Sequence, residues 1–117
     1  MRSADRLRNR REFQRVYSEG VKVVGRFIVV FAQPGSGEAS RLGVTATRRT
    51  GNAVVRNRSR RRVRALFRGH KDILGERPLD IVVNVRTGCA ESPWAVLERD
   101  FRECLNKIAR RLSRPGS

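Results

Sequence analysis

Between residues 52 and 69 the apolar positions Val55, Val63, Leu66 and Phe67 recur close to the 3.6-residue period, which predicts a helix with one greasy stripe. Asn52 is placed to cap its start, or to contact a ligand, and Gly69 to end it. A second helical pattern starts with Ser92 as N-cap and Pro93 as first helical residue, and puts Trp94, Leu97, Phe101, Cys104, Leu105, Ile108 and Leu112 on one face. That face reads as core, with base stacking the alternative for Trp94. Near the start of the chain, Asn9 and Glu12 have the spacing of a capping box ahead of a short helix over 10–18 that Gly20 stops. Phe13, Val16 and Tyr17 share one side of it.

The remaining apolar pattern is that of strands. Val23, Val24 and Phe27 to Phe31 form two runs, separated by a bulge or break at Gly25–Arg26. Both faces of the second run are apolar, which predicts a central strand. Residues 33–40, rich in Gly and Ser, read as a flexible hairpin loop. Over 41–47, Leu42, Val44 and Ala46 alternate with Gly43, Thr45 and Thr47. The first set points to a core. The second is a small, polar floor that a nucleic-acid backbone could approach, although Thr45 also reads as an ordinary strand threonine. A loop over 70–78, a strand over 79–85 and a loop over 86–91 complete the order α-β-β-β-α-β-α, an α+β sandwich in one domain spanning 1–117.

Charge changes this picture most. The chain of 117 residues carries a net charge of +16, and 24 of its 27 basic residues are arginine. Residues 48–64 hold eight arginines, and no carboxylate lies between Glu38 and Asp72. On the predicted helix, Asn57, Arg60, Arg61, Arg64 and Arg68 fall within about a third of the circumference, with Arg58 and Arg62 on a neighbouring flank. Solvated helices normally mix acids among their bases and gain from i,i+4 pairs. This one has none, so a polyanionic partner is the natural complement, and guanidinium suits phosphate. The chain has no apolar run long enough to span a membrane and no apolar region of a signal peptide at its start. Cys89 and Cys104 lack metal-ligand spacing and read as ordinary thiols of a reducing cytoplasm. One histidine and scattered carboxylates provide neither a two-metal site nor a nucleophile–base pair.

The run Thr47-Arg48-Arg49-Thr50-Gly51-Asn52-Ala53-Val54-Val55-Arg56-Asn57-Arg58-Ser59-Arg60-Arg61 resembles the signature of the protein subunit of bacterial ribonuclease P, with Arg56-Asn57-Arg58 at its centre. Arg48, Arg49 and Arg60 stand where that family commonly has lysine and Thr47 where it has serine, so charge and hydroxyl are kept. The resemblance covers nearly the whole chain. It implies a central four-stranded mixed sheet packed by helices, with a left-handed βαβ crossover, whereas general chirality rules favour a right-handed one. It also implies a cytoplasmic, non-catalytic subunit, monomeric and 1:1 with a catalytic RNA. That RNA, holding Mg²⁺, hydrolyses the bond between the 5′ leader and mature tRNA.

On this resemblance Arg56, Arg58, Arg60 and Arg62 contact the catalytic RNA. Phe13, Tyr17, Phe31, Thr47, Arg48, Arg49, Asn57, Arg61, Arg64 and Arg68 contact the leader of precursor tRNA. From the residues alone, Phe13 and Tyr17 remain either core anchors or a platform for single-stranded bases. Phe31 falls where the family often has a cleft-floor tyrosine, so its stacking face is kept and the hydroxyl is lost. Two rival readings stay open at this point: another structured-RNA-binding module, such as a ribosomal protein or RNA chaperone, and a self-sufficient protein nuclease. DNA is not an expected partner, since no helix-turn-helix spacing precedes the basic helix.

Overall fold

In a computed structural model, residues 6–35 and 37–113 are described. The elements are α1 (Arg10–Glu19), β1 (Val21–Val24), β2 (Ile28–Pro34), β3 (Arg41–Thr45), α2 (Ala53–His70), β4 (Leu79–Val85) and α3 (Trp94–Ser113), with 3-10 turns at Arg48–Thr50 and Lys71–Leu74. The α+β class and the element order match the expectation. The sheet is mixed, in the order β1-β2-β4-β3, with β3 and β4 parallel and the other pairs antiparallel.

That order corrects the reading of residues 33–40. They do not close a hairpin, because β4 inserts between β2 and β3. Leu79 to Val83 are all buried, so β4 belongs in the middle of the sheet. The hairpin is β1–β2 instead. Asp100 of α3 holds its turn, accepting the Arg26 N–H on Oδ1 and the Phe27 N–H on Oδ2, each at 2.9 Å.

One face of the sheet carries the main core: Ile28, Val30, Leu42, Ile81 and Val83 pack with Val63, Leu66 and Phe67 of α2 and Leu97, Phe101, Leu105 and Ile108 of α3. These are the stripes the periodicity predicted. Burial raises the pKa of Cys89 and pushes that of Cys104 up to about 12, so both remain protonated thiols. Among the described residues no helix is long and apolar enough to cross a membrane.

Helix ends depart from expectation in two places. Gly69 does not stop α2. The ladder continues through the Lys71 N–H, which donates to the Phe67 carbonyl, and the left-handed residue is Gly75, at φ 78° after the second 3-10 turn. Half of the expected 70–78 loop is therefore helical. Ser92 does not cap α3 either. The helix starts at Trp94, with the Leu97 N–H on the Pro93 carbonyl. Ser92 is buried and its Oγ donates to the Cys89 carbonyl at 3.1 Å. The two expected N-terminal caps hold. Asn9 and Glu12 form the full capping box of α1, and the Asn52 side chain caps α2 by accepting the Val55 N–H.

Candidate nucleic-acid interface

The second face of the sheet lies under α1 and is best read by register, row by row. The first row is Gln33, Asp80 and Arg41. Arg41 grips Asp80 with two hydrogen bonds, at 2.9 and 3.0 Å, and reaches Glu12 of α1 at 2.6 Å. The hydrogen bonds to Asp80 above all raise the Arg41 pKa further. The Arg8 N–H, more than any other group, holds the Glu12 carboxyl below its ordinary value. This polar lock fixes one end of α1 to the sheet.

The second row is Lys22, Phe31, Val82 and Gly43. It carries a small apolar cluster of Val16, Val82 and Leu7 with Phe13, Tyr17 and Phe31 around it. The Phe13 ring lies directly on Gly43: a Cβ there would come within 2.4 Å of its Cζ. Glycine is therefore required for contact, not for its backbone angles. Tyr17 meets Phe31 edge-on, with ring centroids 4.8 Å apart, and the Lys22 ammonium sits 5.7 Å over Phe31.

The third row is Val24, Val29, Asn84 and Thr45. It is open. Val24 is 57% exposed, and the other three are half-buried. Tyr17 leans over the boundary, its hydroxyl donating to Asn84 Oδ1 at 2.6 Å and lying 3.3 Å from Thr45 Oγ1. The result is a groove with a half-polar floor and one wall of two rings.

Just beyond the Thr45 end of this row the chain passes through Thr47, Arg48 and Arg49, all exposed, into α2. On α2, Asn57, Arg58, Arg61 and Arg68 are exposed. Arg60 is half-buried and tied back, with one nitrogen on the Ala46 carbonyl at 3.3 Å and another on Asn57 Oδ1 at 3.2 Å. Arg64 is partly buried beside Arg60 and Arg6, and burial, then their charges, lower its pKa. A site that crowds like charges in this way favours an anion.

The Ribonuclease P family model matches residues 1–109. The chain belongs to the ribonuclease P protein family. It is 40% identical over 108 residues to the ribonuclease P protein component of Gluconacetobacter diazotrophicus, covering 89% of this chain and 90% of the relative. With the corresponding protein of Desulfatibacillum aliphaticivorans it shares 34% over 104 residues, covering 89% and 87%. The solved RNase P protein of Staphylococcus aureus superposes with a TM-score of 0.78 at 30% identity, covering 91% of this chain and 95% of that one. That of Thermotoga maritima gives 0.78 at 30%, covering 88% and 96%.

Within this ribonuclease P protein, the fold puts Tyr17 and Phe31 at one wall of the groove, with Phe13 packed on Gly43 behind them, and Thr47, Arg48 and Arg49 at its end. Phe13 is the most committed to packing. Arg60 lies near Arg64, on the face where the helical period puts both. Arg62 is held at home, its guanidinium bonded to the Cys89 and Ser92 carbonyls at 2.5 and 2.6 Å. The reason is position: residue 62 lies on the flank that meets the start of α3. Sequence reading missed Asn84, Lys22, Val24 and Val29 as groove residues. A lone amide after the apolar run Ile81-Val-Val83 was the available signal for Asn84. Among the described residues no three His, Cys, Asp or Glu side chains are grouped so as to hold a metal ion.

Proposed function

We propose that this chain is the protein component of a ribonuclease P ribonucleoprotein that processes precursor tRNA. It binds a single-stranded 5′ leader in the groove, while the Arg56–Arg58 end of α2 binds the catalytic RNA. Bond cleavage and Mg²⁺ belong to the RNA. The observation that carries this reading is the uncovered row Val24, Val29, Asn84 and Thr45, walled by Tyr17 and Phe31 and leading to Thr47, Arg48 and Arg49. Rings and half-polar floors suit unpaired bases, and guanidinium suits the phosphates between them. Asn57, Arg61, Arg64 and Arg68 extend the cationic surface along α2, and Arg62 contributes by holding the neighbouring loop.

Reconstitution tests the reading. Added to a bacterial ribonuclease P RNA at low Mg²⁺, the chain should speed 5′ leader removal and favour precursor over mature tRNA, increasingly with leader length. Equal affinity for both tRNAs would point to a general structured-RNA binder. With about six phosphates neutralised, affinity should fall about five decades per decade of salt. Arg58→Ala and Arg61→Ala should each flatten that slope by about one. Unchanged slopes in both variants would remove α2 from the interface.

A further inference from the structure

The single tryptophan stands where the helical pattern expects core, yet Trp94 is 44% exposed. It opens α3 beside Val96, which is 38% exposed. One face of its ring carries the Arg62 guanidinium, 5.5 Å from the centroid. That guanidinium is in turn fixed by the Cys89 and Ser92 carbonyls, and Ser92 Oγ lies 3.5 Å from it. The loop that carries the ring is stiff as well: Gly88 takes φ 92°, the Ser92 N–H donates to the Gly88 carbonyl, and the Arg86 N–H donates to the Phe27 carbonyl. A large aromatic surface is thus held rigid and left in solvent. Exposed Arg58 lies one helical turn from Arg62 on the same flank of α2. The acids nearest in sequence are Glu91, which is exposed, and Glu98, which bonds His70 at 2.9 Å.

We propose that Trp94 is a stacking platform for an unpaired base of the RNA that the Arg56–Arg58 end of α2 contacts. The inference rests on the functional reading above and adds a contact outside the leader groove. A ring already oriented loses little freedom on binding, and a cation behind it strengthens the stack. Ordinary packing would have buried the ring instead of mounting it outward on an arginine.

The ring's uniqueness provides the test, because all tryptophan emission of the full chain reports this position. Ribonuclease P RNA without tRNA is titrated in, with binding followed separately by the anisotropy of end-labelled RNA. Saturation should quench the emission and shield the ring from acrylamide. Trp94→Ala should weaken RNA binding about tenfold, taking about 1–3 kcal/mol per stacked base, while Trp94→Phe stays close to wild type. Normal RNA binding with unchanged emission and acrylamide access overturns the platform alone. So does a folded Trp94→Ala chain that binds RNA as wild type does. If Trp94→Ala fails to fold, the wild-type emission decides. Absence of any RNA binding by the wild-type chain overturns the functional reading and this inference together.

Discussion

Under α2 and α3 the sheet buries Ile28, Val30, Ile81 and Val83 against two apolar helix faces and is sealed. Under α1, by contrast, a ten-residue helix covers only two of three rows: a polar lock at one end, a ring cluster in the middle, and open floor beyond Tyr17. The sealed face supplies stability, through area removed from water. The half-covered face supplies a groove, at the cost of polar groups that must be paired one by one. A sheet that is stable from one side can leave part of the other uncovered.

The comparison can be broken from either side. Phe101→Ala, on the sealed face, should cost about 3–5 kcal/mol and lower the thermal midpoint by well over ten degrees. A small shift in a calorimetric or circular-dichroism melt would mean that face is not the main source of stability. Arg41→Ala leaves the buried Asp80 carboxylate without its partner and cuts the tie to α1. The expected loss is about 3 kcal/mol, and denaturant midpoints would expose an error if the variant matched wild type.

Gly43→Ala sharpens the comparison further. The added methyl meets the Phe13 ring, so α1 must lift, at about 1–3 kcal/mol. Leader-bearing tRNA should bind more weakly while affinity for the catalytic RNA holds. Equal losses for both RNAs would count against separate surfaces. The smallest effect is acidic. The folded-state pKa of Glu12 is depressed, so its stabilising contribution is fully present above its unfolded value and fades as pH falls through the folded value. Melts of wild type and Glu12→Gln should differ at neutral pH, and the gap should narrow as pH falls below the ordinary glutamate value of about 4.3. A gap that stays constant as pH falls through the acid range would show that Glu12 acts through shape, not charge.

Periodicity alone located α2, α3 and the face each buries, because a stripe of Val63, Leu66 and Phe67, or of Leu97, Phe101 and Ile108, has one way to leave water. The capping box at Asn9 and the cap at Asn52 were legible for the same reason: caps are local contacts between residues three apart. The acid-free arginine run was also plain, since charge does not need a fold to be counted.

What the residues could not determine was adjacency. That β4 separates β2 from β3, so that Asn84 stands between Val29 and Thr45 on the groove floor, follows from strand pairing across tens of residues. Whether Arg62 faces solvent or Cys89, and whether Trp94 is sealed or mounted outward, depended on where the 86–93 loop comes to rest. Side chains on one helix are neighbours by geometry; those on different elements become neighbours only when the whole core has chosen its packing.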